Sequence, residues 1–199
     1  MAATVAILAG GRATRFDGRD KGGLLVGGRS IRERQLHELS QVADEILLVG
    51  ASVAPSVPGL TIRLVADRVR GAGPLGGLDA ALAACRRDHV MIIAGDMPYV
   101  SAQLVAYLIS VAEGADAVVP RTERGYHPLC AVYARGCERA VAARLASGAF
   151  AMKDLLADVR VRAVDADELT MFGDPDRLLA NLNTPADLER IEALASHQP

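Results

Sequence analysis

The strongest constraint on this chain is its rhythm, in which short uninterrupted apolar runs alternate with stretches of helical periodicity. Thr4–Leu8, Glu45–Val49, Thr61–Val65, His89–Ala94 and Ala115–Val119 are rich in Val, Ile and Leu. A strand covered on both faces needs continuous apolarity, so these runs suit a buried parallel sheet. Between them, Ser30 with Glu33 three residues on forms a capping-box signature ahead of Leu36 and Leu39. Gly77–Arg86 is rich in Ala and Leu, and Ser101 opens a segment with Leu104, Val105, Leu108, Ile109 and Ala112 at helical spacing. Strand–helix–strand repetition places helices on both faces of one sheet. The expected fold class is α/β, three-layered, with a mostly parallel central sheet.

After Val119 the rhythm changes. Pro128–Tyr133 reads as a further strand, Arg135–Ser147 and Ala151–Ala157 as helices, and Val159–Val164 alternates like an edge strand. Near the end, Thr184 suits a helix cap and Pro185 a first helical position. Asp187 falls in the first turn, and Leu188, Ile191 and Leu194 form a stripe. With 199 residues, 51% of them hydrophobic, and no low-complexity linker or repeat, the chain is expected to form a single domain, 1–199. A net charge of -2 argues against a nucleic-acid binder. No apolar run approaches the roughly 18 residues of a membrane span. Cys85, Cys130 and Cys137 are widely spaced and odd in number, and nothing resembles a secretory leader, so the expectation is buried, reduced thiols in a cytoplasmic protein.

Ala6-Ile7-Leu8-Ala9-Gly10-Gly11-Arg12 puts two glycines directly past a buried strand, where open α/β sheets bind ligands. Adjacent glycines let backbone N–H groups approach an anion without a Cβ in the way. Arg12, Arg15, Arg19 and Lys21 follow, offset only in part by Asp17 and Asp20. The plainer alternative is a solvated basic loop. There is no G-x-x-x-x-G-K-[ST], so a P-loop ATPase is not supported. A second strand end, His89–Asp96, delivers a carboxylate to the same edge, and a hard oxygen ligand of this kind suits Mg²⁺. The plainer reading of Asp96 is a turn residue ahead of Pro98.

Gly71-Ala72-Gly73-Pro74-Leu75-Gly76 matches the G-x-G-x-x-G of dinucleotide binding, with Asp96 downstream. Against this, Asp67–Arg70 separate the strand from the first glycine, and Pro74 lacks an N–H where a backbone donor is needed. The basic first loop would also be left unexplained.

Leu8-Ala9-Gly10-Gly11, Arg15-Phe16, Asp20-Lys21 and Leu24-Leu25 together resemble the signature of NTP-transferase-type nucleotidyltransferases. Gly73-Pro74-Leu75-Gly76-Gly77, Gly95-Asp96-Met97-Pro98, His127-Pro128-Leu129-Cys130 and Asn181-Leu182-Asn183-Thr184-Pro185 extend the likeness over nearly the whole chain. The set is most similar to the molybdenum cofactor guanylyltransferases.

The resemblance implies a Rossmann-like three-layer nucleotidyltransferase fold, with residues about 1–120 binding nucleotide and about 121–199 binding the acceptor. It implies Mg²⁺-dependent transfer of GMP from GTP to molybdopterin, releasing pyrophosphate, with molybdenum-insertion proteins and molybdoenzymes as partners. It makes Arg15, Lys21 and Asp96 catalytic, with Asp96 on the metal. Leu8, Ala9, Gly10, Gly11, Asp67 and Gly76 then surround the nucleotide, and Asn181 and Asn183 the acceptor. Asn183 reads equally as a turn residue, and His127 as an acceptor-pocket residue or a structural histidine. Met97 and Phe16 read as packing residues. One departure stands out: Val49-Gly50-Ala51 offers only backbone where some relatives carry an Asn that touches the nucleotide. That leaves a cytidylyltransferase of the same cofactor open; the further alternatives are another small nucleotidyltransferase and a carrier module that has lost catalysis, against which the intact Arg15, Lys21 and Asp96 argue.

Overall fold

The computed structural model describes residues 3–10, 21–182, 184, 186, 187 and 189, with the side chain of Lys21 outside the description. In chain order its strands are β1 (Thr4–Leu8), β2 (Leu25–Val26), β3 (Arg29–Ser30), β4 (Glu45–Val49) and β5 (Thr61–Val65). There follow β6 (His89–Ala94), β7 (Ala117–Thr122), β8 (Gly125–Tyr126), β9 (Cys130–Ala134) and β10 (Val161–Val164). The helices are α1 (Ile31–Leu39), α2 (Gly73–Ala84), α3 (Ala102–Ser110), α4 (Glu138–Ser147), α5 (Met152–Leu155), α6 (Ala166–Leu169) and α7 (Pro175–Leu178).

The main sheet runs β10-β7-β9-β6-β1-β4-β5, with β8 paired to β7. β1 is parallel to β4 and β6, β4 to β5, and β7 to β10. β9 alone among the long strands runs backwards, between β6 and β7. The mostly parallel sheet expected from the apolar runs is therefore present, and β10 lies at its edge. Side-chain alternation divides the core: Val5, Ile7, Leu48 and Ile93 face α1 and α3, while Ala6, Leu47, Ile92 and Val119 face α2 and α4. That is the three-layer arrangement.

Local signals account for most element ends. Ser30 and Glu33 exchange both capping-box bonds at α1, and Ser101 caps α3 through the Leu104 N–H. Gly148, with φ of 74°, closes α4 in the left-handed conformation that glycine adopts without strain. Thr184 and Asp187 exchange side-chain-to-backbone hydrogen bonds, as the cap reading requires. Several boundaries differ from expectation: the strand read as Ala115–Val119 runs over Ala117–Thr122, and the segments read as Val159–Val164, Arg135–Ser147 and Ala151–Ala157 shorten to β10, α4 and α5. The helix read from Gly77 begins at Gly73, because Pro74 sits in its first turn, where a missing N–H loses no intrahelical bond. The strand read from Pro128 begins at Cys130, after a turn in which the Cys130 N–H reaches the His127 carbonyl. All three cysteines are buried and free. Burial pushes the Cys130 thiol up to about 12, so it behaves as a small hydrophobe. Among the described residues no helix is long and apolar enough to cross a membrane.

Arg162 grips Glu168 through both guanidinium Nη atoms, at 3.0 and 2.8 Å, and the Tyr107 hydroxyl donates to the same carboxylate. These bonds tie α3, β10 and α6 together. They hold the Glu168 carboxyl at about 2, well below its ordinary 4.5, with Arg162 the larger cause and Tyr107 the next. A depressed carboxylate stabilises the fold above its ordinary value and loses that contribution as pH falls through its folded value. Urea midpoints measured from pH 4.5 down to 2 should therefore fall less steeply in Glu168→Gln than in the parent chain. Equal slopes would show that this cluster adds nothing to acid stability.

Candidate active site

The site follows from where β1 sits. Its chain connection leads to β4 on one side, whereas β6 arrives on the other side after the α2 crossover. Helices on the two sides lie on opposite faces, so a crevice opens beyond the carboxyl ends of β1 and β6. Leu8 and Ala94 are directly paired there, which brings Gly10 and Asp96 to one rim. The crevice is a cleft of about 600 Å³ lined by Leu8, Ala9, Gly10, Gly22, Asp67, Gly77, Asp96 and Asn181, among others.

The cleft floor is backbone against backbone. A Cβ on Gly50 would lie 2.7 Å from the Gly10 Cα, and one on Gly95 would lie 2.9 Å from the Leu8 carbonyl. No side chain fits at either place without displacing main chain. The bare Val49-Gly50-Ala51 segment thus has a steric cause: any residue larger than glycine at 50 collides with the first loop. The Ala9 and Gly10 N–H groups both donate to the Val49 carbonyl, at 2.9 and 3.1 Å. This corrects the expectation that their amides cradle phosphate, because both are already committed to the adjoining strand. Gly11, Arg15 and Phe16 lie outside the described residues, as does Asn183. Lys21 opens a single 3-10 turn, Lys21–Gly23, whose Gly22 reaches the cleft.

Asp67 borders the cleft beside Gly10 and Gly50, its Oδ2 3.4 and 3.6 Å from where their Cβ atoms would stand. Gly73, Pro74 and Gly77 line the opposite wall as the first turn of α2, which has no side-chain cap. Gly76 sits behind that wall. It is buried, and a Cβ there would press on Ala72 and the Val69 carbonyl at 3.0 Å. Asp96 is half-buried on the cleft, and its carbonyl accepts from the Leu182 N–H at 2.8 Å. Arg32, which the sequence reading did not single out, lays its guanidinium against Gly22.

A second hollow, of about 330 Å³, opens beside the cleft and shares Pro74, Leu129 and Asn181 with it. Its walls are mainly apolar, from Met97, Tyr126, Leu129, Phe150 and Met152. Tyr126 and Phe150 remain 41% and 39% exposed, and so offer ring surface to an incoming group. Asn181 Oδ1 is buried at the junction with no hydrogen-bond partner among the described residues. His127 lines the hollow and its Nε2 lies 2.9 Å from the Thr122 hydroxyl, so it serves both as lining and as a held structural group. Burial, and then Arg124, lower its pKa, which keeps the ring neutral near pH 7.

An open α/β sheet with a carboxylate, a glycine-lined floor and an adjoining apolar hollow at its switch point has its crevice where such sheets bind ligands, and the family match makes the class a nucleotidyltransferase. The chain belongs to the MobA-like NTP transferase domain family, whose model matches residues 5–167. It is 35% identical over 195 residues to a probable molybdenum cofactor guanylyltransferase from Pelotomaculum thermopropionicum, covering 98% of this chain and 94% of that one. It is 31% identical over 194 residues to the molybdenum cofactor guanylyltransferase of Desulfosudis oleivorans, covering 96% and 95%. In fold it is similar to molybdopterin-guanine dinucleotide biosynthesis protein A from Archaeoglobus fulgidus, with a TM-score of 0.79 and 24% identity over 98% of this chain and all of that one. The dinucleotide-binding alternative is thereby set aside, and the fold agrees: residues 66–72 separate β5 from α2, so there is no tight strand-to-helix turn.

Gly50 has φ of 78° as well as the close contact, whereas Gly59 has φ of 77° and open space around its missing Cβ. Gly59→Ala should cost about 1 kcal/mol for the left-handed conformation alone. Gly50→Ala should cost clearly more, up to about 3 kcal/mol, because the cleft floor must also move. Equal losses in urea titrations of the two variants would refute the close-approach reading.

Proposed function

We propose that this chain transfers GMP from GTP to molybdopterin, forming the guanine dinucleotide form of the molybdenum cofactor and releasing pyrophosphate. The observation that carries this reading is the confluence of two unlike cavities at Pro74, Leu129 and Asn181. One is glycine-floored and edged by the carboxylates of Asp67 and Asp96, and the other is apolar with aromatic rims. The names of the relatives favour guanine as the base.

In the reaction an acceptor phosphate oxygen attacks the α-phosphorus of GTP, and the bond to pyrophosphate breaks on the opposite side. Two polyanions must meet, so charge neutralisation and alignment provide most of the rate enhancement. Arg15 supplies a planar fork of donors to phosphate oxygens and Lys21 a compact charge for the same triphosphate. Residues about 1–120 hold the nucleotide, with Asp67 and the first turn of α2 flanking its base and ribose. Residues about 121–199, with His127, Asn181 and Asn183, hold the acceptor. The lone Oδ1 of Asn181 suits an N–H of the pterin ring, and Tyr126 and Phe150 suit its faces.

Among the described residues no cluster of three His, Cys, Asp or Glu could cage a metal. A single hard carboxylate at a phosphate site nevertheless fits Mg²⁺, which binds through one or two carboxylates together with substrate phosphates. Asp96 would hold it, and the bound ion would neutralise charge on the phosphate oxygens.

The direct test is turnover with GTP, CTP and ATP, with and without Mg²⁺, in the presence of molybdopterin. GTP alone should serve, and only with the metal. Turnover with CTP alone would make the chain the sister cytidylyltransferase. Binding of nucleotide and pterin without turnover would make it a carrier. Asp96→Ala should lose transfer by at least about 10³-fold while remaining folded, since it removes a rim charge and no core side chain. Full activity in that variant would remove the metal assignment.

The two hollows can be probed separately. Truncating either Tyr126 or Phe150 to Ala should raise the KM for molybdopterin about tenfold, on the scale of about 1–3 kcal/mol per stacked ring. GTP affinity should hardly change. A loss of GTP affinity instead would place the aromatic rim on the nucleotide side.

A further inference from the structure

Thr4 and Gln35 are the buried polar side chains among the described residues, and Gln35 is fully inside the core. It lies on α1 between Arg34 and Leu36, on a face whose other buried members are Ile31, Leu36 and Leu39. An apolar residue there would pack without any demand for partners. The Gln35 amide instead donates from Nε2 to two carbonyls, Ala94 at 2.8 Å and Met97 at 3.1 Å. Those are the first and last residues of the turn that carries Asp96, and the turn is closed by the Met97 N–H on the Ala94 carbonyl at 3.3 Å.

The turn has other main-chain tethers. The Ala94 N–H donates to Leu129 at 2.8 Å, the Gly95 N–H donates to Leu8 at 3.0 Å, and the Asp96 carbonyl accepts from Leu182 at 2.8 Å. These fix it to the segment before β9, to β1 and to the acceptor segment. Gln35 is the fixing from α1, and among these bonds it alone holds both ends of the turn at once. It does so at a cost, since its own Oε1 is buried with no hydrogen-bond partner among the described residues. A buried amide that leaves one of its own polar atoms unsatisfied is a poor device for stability and a good one for geometry.

We propose that Gln35 is a positioning residue for Asp96. Gripping both ends of the 94–97 turn, it fixes the direction in which the carboxylate meets a divalent cation. The inference rests on the reading of Asp96 as the metal ligand. Groups that orient a ligand in this way commonly account for about 10- to 100-fold in metal affinity or activity.

The test uses Gln35→Met, which keeps length and apolar packing without a donor, and Gln35→Glu, which keeps shape and removes the amide N–H₂. Leu36→Ala serves as a control that destabilises the same helix while removing no hydrogen bond to the turn. Mn²⁺ binding to the GTP-loaded chain is read by the electron paramagnetic resonance signal of the free ion, independently of turnover. Both Gln35 variants should bind Mn²⁺ at least about tenfold more weakly and lose kcat similarly, with the KM for GTP within about twofold of the parent. Leu36→Ala should lose thermal stability yet keep Mn²⁺ affinity.

Unchanged Mn²⁺ affinity in a folded Gln35→Met or Gln35→Glu chain overturns the proposal. So does an equal loss in Leu36→Ala, which would reduce Gln35 to a packing residue. Asp96→Ala separates this failure from that of the underlying reading. If it abolishes Mn²⁺ binding while the Gln35 variants do not, only the positioning role falls; if it retains binding, both fall.

Discussion

The parallel pairing of β1 with β6 is the contact on which the site depends. β1 is flanked by β4 and β6, and the crossover from β1 to β4 through α1 runs opposite to the one from β5 back to β6 through α2. Right-handed crossovers of opposite direction place α1 and α2 on opposite faces. No helix can then roof the carboxyl end of the β1–β6 pair, and Gly10, Gly50 and Asp96 are left around an open crevice. The same apolar runs that bury the sheet therefore determine where a ligand can enter.

Close main-chain packing gives that crevice its shape. Gly10 and Gly50 nearly touch, Gly95 sits on the Leu8 carbonyl, and Gly77 brings α2 against Leu8. Each missing Cβ lets an element approach further than any other residue would permit. The Val49 carbonyl takes up the Ala9 and Gly10 amides, so the first two loop residues continue the sheet rather than reach for a ligand. Those two amides are therefore not available to a bound anion.

Much of this architecture was legible in the sequence because the signals were local. Continuous Val, Ile and Leu runs gave β1, β4, β5 and β6 at their true limits, and Ser30 and Ser101 marked helix starts through hydrogen bonds only a few residues long. The start of α2 was misread because Gly73 and Pro74 carry turn chemistry, and nothing local says that the turn is helical. The strand-end carboxylate Asp96 could be placed on the rim from topology alone. Tyr126 and Phe150 could not be brought together, since they lie on separate segments that only the tertiary fold joins. Gln35 was invisible for the same reason: its partners are 59 and 62 residues away, and a lone Gln on a helix reads as surface.

The reversed strand β9 explains how a second cavity comes to share the rim. A parallel strand contributes to this edge only the loop that follows it. β9 runs antiparallel to β6, so the segment before it, His127 to Leu129, arrives at the edge where β6 ends. The Ala94 N–H binds the Leu129 carbonyl at 2.8 Å and locks that segment beside the Asp96 turn. One inverted strand thus adds an apolar wall to a carboxylate-edged cleft, and the Leu182 amide on the Asp96 carbonyl brings Asn181 to the seam. Two unlike surfaces meet at one rim through a single change of strand direction.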